Sequence, residues 1–599
     1  MLKTKRILAT AVALIAANFA LPSARADVLE SAPADALVAI RVANLTKTSA
    51  KVAQLAKDFG IDGFVPPLAD PLGSLKNRAK ITKGIKDDGE LGFAILKPEE
   101  GQREPGMIML VPVTSYDEFL SNFEDAKVEG GVAEIKLATD PEPAFAADWG
   151  EYVAISPTRN LVATKPASTL KPAGFVAKDG ARQDFFLYAN FSKLTPELLP
   201  ELEKGFAEVN NELAKNLGKD VPEKWHPLIK TSVTQLFNVA RTFLKDVDSA
   251  SVGLNISDAG INTTVISEFK PDSYLGQLMA SVKGTDASLT TGLPARKYLV
   301  FGGAFADPVA TAKVIDDLTK PIVEELNKIE GQEKAQTAAK SLLAAFKANK
   351  GYIFGMPTPT KIGQEGIFQQ VAIYKGGGKE MKSAADASGA VVTDLFAEIK
   401  AQAKQKNPDA ADDAMGSLTV TPAARTIEGV SFDTWKVEMP QAKDDPAAMQ
   451  AEMMLGLFYG GEGLSYSMAQ MDDNFIFAQS ATDENIARFI TAAKENKDNL
   501  SGLPHIKVVT AELPKTRVYE GFLALDEFFT TGAGVAGTFG MQIPVQLPPD
   551  LAPIGFSAGT EGSSLRIDTH VPRKTVQDII SAVMQVMQQM QGGGGGGNL

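Results

Sequence analysis

The chain has 599 residues, 44% hydrophobic and 22% charged, a composition typical of folded globular proteins and a length that buries large cores without crosslinks. With no cysteine it has no thiol nucleophile, no thiolate metal site and no disulfide scaffold. Its formal net charge of −13 opposes binding to nucleic acid and to anionic lipid headgroups.

The first 26 residues read as a signal peptide. Lys3, Lys5 and Arg6 precede the short apolar run 7–21, and Ala24-Arg25-Ala26 has the small-x-small form of a cleavage site before Asp27. The expectation is an exported protein, periplasmic or secreted. Cleavage removes Lys3, Lys5, Arg6 and Arg25 and no acid, four positive charges, which moves −13 to −17. No later stretch holds 18 uninterrupted apolar residues, so no transmembrane segment is expected after signal removal.

In the first half, 37–42 (LVAIRV) reads as a strand, with Thr46 as the cap of a following helix. Residues 91–96 and 107–113 form an expected hairpin across a polar loop. The strand 152–156 (YVAIS) leads into the polar segment 157–163, and 185–189 (FFLYA) is another strand, with Ser192 as cap. Amphipathic helices are expected over 196–217 and 227–247. Residues 251–283 then read as strand, turn at Gly260, strand, and a helix opened by Pro271.

The second half uses the same vocabulary. The strand 298–302 (YLVFG) is followed by Asp307 and Pro308, a cap and a first helical residue, and by a long helical stretch to 349. Residues 351–356 and 367–374 make a second strand pair. The region 376–416 reads as loop-rich apart from a helix over 390–404, and another helix is expected over 447–458. The strand 475–480 runs into a helix with Ile486, Phe489, Ile490 and Ala493 on one face. The strand 522–525 has Asp526 as its cap, and 553–587 closes the chain as hairpin and helix, with a Gly-rich flexible tail over 592–599.

The two closing segments match in layout. Gly253 and Gly555, Gly260 and Gly562 stand at equal spacing, 302 residues apart. From Pro271 and Pro572, apolar residues fall at the same four offsets: Leu275, Leu278, Met279 and Val282 against Val576, Ile579, Ile580 and Val583. The opening prolines Pro33 and Pro294 are only 261 apart, which leaves about 41 extra residues in the second half. The fold expected is α+β: two duplicated lobes, 27–290 and 291–591, of mostly antiparallel sheet with helices packed on them.

One short pattern invites catalysis. Gly555-Phe556-Ser557-Ala558-Gly559 matches G-x-S-x-G, the elbow that presents the nucleophile of serine hydrolases, and Asp568 and His570 follow on one strand face. An elbow must pass from strand into helix, whereas here Glu561-Gly562 turns into a second strand, and the matching residue of the first half is Asn255. The expectation is therefore a structural hairpin, with no catalytic residue assigned.

No other chemistry is expected. The three histidines, His226, His505 and His570, have no spacing that suits a metal helix, so no metal and no cofactor are assigned. The acidic stretches 409–413 and 444–445 lack the calcium-loop pattern. Residues 375–380 (KGGGKE) lack the Ser/Thr of a phosphate loop and read, with 460–463, as flexible turns. Two methionine groups, Met449, Met453, Met454 and Met468, and Met584, Met587 and Met590, read as core, with a groove for a hydrophobic ligand as the rival reading.

The opening PADALVAIRVANL (33–45), the strand-then-helix phrase at Tyr152 and the closing hairpin-plus-helix resemble a family of bacterial exported proteins of the domain-of-unknown-function type. The resemblance implies export and a repeated α+β body, and supplies no site residue. The function expected is a non-catalytic binding or structural component outside the cytoplasm, in one form holding a hydrophobic ligand or a partner protein. The alternative is an exported serine hydrolase using Ser557.

Overall fold

A computed structural model of the chain describes residues 28–98, 104–138, 142–220, 223–406, 417–438, 446–461, 463–495, 499–541, 543 and 547–592. The expected signal peptide, the acidic stretches 409–413 and 444–445, and the tail beyond 592 lie outside the described residues, or nearly so. The fold is α+β. It divides into two compact units: Met1–Gly205, Ala240–Ala280 and Glu561–Ser581 make the first, and Phe206–Val239, Ser281–Thr560 and Ala582–Leu599 the second.

The strands of the first unit are β1 (Val38–Val42), β2 (Leu91–Leu96), β3 (Gly106–Pro112), β4 (Lys127–Glu129), β5 (Val132–Lys136), β6 (Pro143–Asp148), β7 (Tyr152–Ser156), β8 (Phe185–Asn190), β9 (Val247–Ile256) and β10 (Gly260–Phe269). Those of the second are β11 (Tyr298–Phe305), β12 (Gly351–Pro357), β13 (Gln370–Lys375), β14 (Ser417–Ile427), β15 (Val430–Glu438), β16 (Ser465–Met471), β17 (Asn474–Gln479), β18 (Tyr519–Leu523) and β19 (Ile554–Glu561). The last strand, β20 (Ser564–Pro572), belongs to the first unit.

In the first unit the antiparallel order is β4-β5-β6-β7-β3-β2-β1-β8-β9-β10-β20. In the second it is β14-β15-β16-β17-β13-β12-β11-β18-β19, also antiparallel. Strand for strand, the second order repeats the run from β4 to β9 in the first. The expected contiguous lobes differ from the compact units: β20 joins the first unit, paired with β10 along nine residue pairs from Gly260–Pro572 to Glu268–Ser564, and Phe206–Val239 joins the second.

Each sheet is covered on both faces, which is why its central strands read as unbroken apolar runs and not as alternation. In β1, Ala39 packs with Ala94, Leu110 and Phe186 on one face, and Ile40 and Val42 pack with Val52, Phe93 and Phe119 on the other. The helix Leu45–Asp58 lies on the second face and is capped by Asn44, which accepts from the Lys47 amide at 3.1 Å; Thr46, the expected cap, is inside it. In the second unit Tyr298, Phe301, Ile353, Phe432, Ile476, Phe489 and Phe522 form one core, with Ile486 and Ile490 of the helix Asp483–Glu495 as expected.

The opposite face of that unit packs against a helix the sequence reading shortened. Gly378–Lys406 is one helix, so most of the loop-rich region is helical. Gly376 and Gly377, both with φ in the left-handed range, turn the chain out of β13, and 375–380 is a strand-to-helix junction and not a flexible turn. The Gly389 position lets Trp435 of β15 approach, since a Cβ there would stand 2.7 Å from the indole.

Close backbone approach is severe at Gly303 in β11, where a Cβ would lie 2.1 Å from the Leu289 carbonyl oxygen and 2.9 Å from that of Tyr352. Neither oxygen can rotate away. Gly303→Ala is expected to cost about 1–3 kcal/mol by forcing backbone apart, seen as a lower denaturation midpoint; an unchanged midpoint would show that the 285–293 segment yields freely.

Candidate functional site

Ser557 lies in the middle of β19, almost fully buried, with its Cα opposite Glu520 of β18. No helix follows it. The chain turns at Gly562, φ +58°, and continues as β20. Asp568 and His570 do share the buried face of β20, as their spacing requires, but each is engaged by β10. Asp568 accepts from the Thr264 hydroxyl at 2.8 Å and takes both ends of the Arg566 guanidinium at 2.7 and 2.8 Å. His570 Nδ1 is 2.6 Å from the Asn262 side-chain oxygen. A carboxylate already forked by arginine does not orient an imidazole.

These side chains belong to a polar belt inside the first unit. Arg566 also reaches Asp179 at 3.7 Å, and Asp179 accepts from Gln183 at 2.9 Å. Burial pushes the Asp179 carboxyl above its usual range, against the pull of Arg566. Arg41, buried in β1, donates to the carbonyls of Gly180 and Gln183. The most perturbed group is Asp184, 1% exposed, with Lys51 Nζ 3.9 Å away. Burial pushes its carboxyl up to about 8, opposed chiefly by Lys51. Lys51 is shifted down by burial, and its ammonium donates to the Ile256 carbonyl at 2.9 Å.

The remaining sequence candidates scatter. His226 opens the helix His226–Asp246, and His505 sits at the start of Pro504–Glu512, its pKa lowered by burial. Among the described residues no group of three or more histidine, aspartate or glutamate side chains is placed to hold a metal ion. Met468 is core, packed with Met381 and Phe475, whereas Met449 and Met453 are exposed on the helix Pro446–Tyr459. The side chain of Met590 lies outside the described residues.

A concave apolar site lies in the second unit. The helix Leu525–Thr538 presents Phe528, Phe529, Gly532 and Ala533 along one stripe, and Val583, Val586 and Met587 of the last helix, Arg573–Gly592, form the facing wall. Ile543 closes one side of a groove of about 400 Å³ whose eight lining residues are all apolar. The first of these helices is turned against its own polarity. Asp526 and Glu527 are buried, the latter held by Lys297 at 2.5 Å, while Phe528 and Phe529 are 42% and 38% exposed. Asp526 was the expected cap; it lies instead in the first turn, after Ala524. A helix that buries its acids and exposes its phenylalanines is a candidate binding surface. Of this groove the sequence reading had only the Val583–Met587 stripe.

No protein-family model, no curated protein and no solved structure matches the chain. No described helix is long and apolar enough to cross a membrane.

Two outcomes follow from the geometry. A fluorophosphonate probe should leave Ser557 unlabelled; labelling that disappears in Ser557→Ala would restore the hydrolase. For Asp184 the sign is set by its raised pKa. The folded chain keeps a proton that the unfolded chain releases, so stability falls as pH rises from about 4, the ordinary carboxyl value, toward the folded value of about 8. Asp184→Asn should raise the denaturation midpoint at pH 8 by the equivalent of about 1–3 kcal/mol and flatten this dependence. A lowered midpoint would mean that attraction to Lys51 outweighs burial.

Proposed function

We propose that the protein is an exported, non-catalytic binding protein that holds one small apolar molecule, of the bulk of an acyl chain, in the groove between helices Leu525–Thr538 and Arg573–Gly592. The observation that carries this is the reversed helix: exposed Phe528 and Phe529 beside buried Asp526 and Glu527. Its volume of about 400 Å³ is at the small end of ligand pockets, which run from about 300 to 1,000 Å³. A purely apolar lining selects an aliphatic or aromatic body and offers no partner to a charged head.

Export rests on the leader at 1–26 and on the resemblance at 33–45. A duplicated ancestry is supported by the shared strand order and by one pairing. Val265 of β10 lies opposite Ile567 of β20, and these positions are 302 apart, the spacing that separates Gly260 from Gly562. Each strand therefore meets its own counterpart one pair from the centre of the ladder, as two copies related by a local dyad would.

Gly532 gives the test. A Cβ at this position meets nothing within 4 Å, so Gly532→Leu fills the groove without a clash and improves helix propensity by about 0.8–1.0 kcal/mol. A dansyl-labelled fatty acid should bind the wild type with enhanced fluorescence, bind Gly532→Leu at least tenfold more weakly, and bind the control Gly537→Ala as well as the wild type. Equal binding to Gly532→Leu, with the fold intact, would sink this reading.

A further inference from the structure

A second cavity in the same unit has the opposite chemistry. It measures about 310 Å³ and opens on one face of the ladder β14-β15-β16. Its floor is set by register. Thr419 lies opposite Lys436, which lies opposite Ser465; one rung on, Thr421 lies opposite Thr434, which lies opposite Ser467. Alternate residues of a strand share a face, so these two rungs put five hydroxyls and one ammonium on a single surface.

Arg425 completes the wall because β14 is bulged. The register with β15 slips between Thr421 and Arg425, and the three residues between them carry Ala423 at φ +49°, a left-handed conformation costly for a residue with a Cβ. The Ala423 amide is held there by Asp433 at 2.9 Å. The guanidinium is thereby aimed across the rungs. Its Nη2 donates to the Ser467 hydroxyl at 2.7 Å, and its Nη1 pairs with Asp483. Arg425 Nε and the Thr434 hydroxyl, both buried and both on residues that line this cavity, have no hydrogen-bond partner among the described residues. Buried donors of this kind are nearly always satisfied, so their vacancy at the wall of a cavity points to an acceptor-rich ligand.

We propose that this cavity binds a phosphate or sulfate group. A tetrahedral oxyanion offers acceptors to the guanidinium edge, to the Thr434 and Thr421 hydroxyls and to the Lys436 ammonium at once, which a neutral ligand does not. Among the described residues Asp483 is the carboxylate paired with the guanidinium, and it occupies Nη1, leaving the Nε edge. In a chain of net charge −13, two cations over a floor of hydroxyls are a local exception to the field of the whole. The proposal is independent of the apolar groove.

Titration calorimetry of the full-length protein with inorganic phosphate, and separately sulfate, tests it. Saturable binding is expected, weakened tenfold or more in Thr434→Val and in Lys436→Gln, and unchanged in Lys507→Gln, which removes the same charge from an exposed helix position. Thr434→Val removes an unbonded hydroxyl without changing shape, so loss of binding with an unchanged denaturation midpoint reads the site and not the fold. Co-sedimentation with phosphatidic-acid vesicles, against phosphatidylcholine alone, separates the sources. Retention abolished in the same variants assigns a lipid headgroup, and calorimetric binding without retention assigns a free ion or soluble ester. No binding of either ion, or equal binding to wild type and both variants, overturns the proposal. Neither variant alters the dansyl fatty-acid signal, so failure here leaves the groove assignment standing, and the reverse.

Discussion

The pairing of β10 with β20 is the constraint on which the first unit depends. Its nine residue pairs join segments about 300 residues apart in the chain, so the strand that completes this unit is among the last to be made. Loop-closure entropy grows only slowly with length, so such a pairing is thermodynamically tolerable, but it delays folding. The ladder must therefore be specified strongly, and its buried face is. Asn262 meets His570, Thr264 meets Asp568, and Arg566 ties the pair to Asp179 beneath. Polar partners of this kind permit one register where apolar ones tolerate several.

That requirement also explains where the catalytic-looking residues stand. The imidazole and the carboxylate that the G-x-S-x-G pattern called for are spent on holding β20 to β10. The matching positions of the two sheets make the same point. Ser557 faces Glu520, and Asn255, its counterpart, faces the position of Asp184, one step beyond the Phe185–Leu254 pair. Glu520 is completely buried and fully served: Arg517 at 3.0 Å, the Leu289 amide at 3.0 Å and the Thr510 hydroxyl at 3.2 Å. Asp184 has Lys51 at 3.9 Å and is left with a proton affinity far from ordinary. One buried carboxylate position thus has two surroundings, rich in donors at Glu520 and poor at Asp184.

Much of the architecture was legible from sequence because the apolar runs that mark central strands survive both burial and duplication. β2 and β7 fall where composition puts them, and β1, β8, β13 and β17 differ only at their ends. Asp307 caps its helix through the Val309 and Ala310 amides, both at 3.0 Å, with Pro308 first in line. The edges were not legible. β4 to β6 and β14 to β15 carry charged residues or Pro among their apolar ones, and are stabilised by ladder bonds that only register reveals. The helix Gly378–Lys406 was obscured at its start by three glycines. For the same reason neither binding surface could be read directly. Thr419, Thr421, Thr434 and Lys436 alternate as strand residues should, but the bulge that brings Arg425 over them is a tertiary event, and the outward turn of Phe528 contradicts the usual rule for a helix beside two acids.

Under the two proposals above, the second unit carries two kinds of recognition with different physical limits. In the apolar groove no lining atom fixes a head group, so neighbouring ligands differ by the transfer of a methylene or two, about 1–3 kcal/mol, and selection is by bulk alone. Over the hydroxyl floor the selection is by charge and geometry, because a ligand lacking acceptors leaves the guanidinium edge and the Thr434 hydroxyl unpaired in a place water reaches poorly. The first surface is cheap to evolve and broad in what it accepts. The second is held in place by a left-handed alanine that the backbone would otherwise avoid. Strain of this kind is common beside functional sites, and here it sets the Arg425 guanidinium over the two rungs, against Ser467 and Asp483.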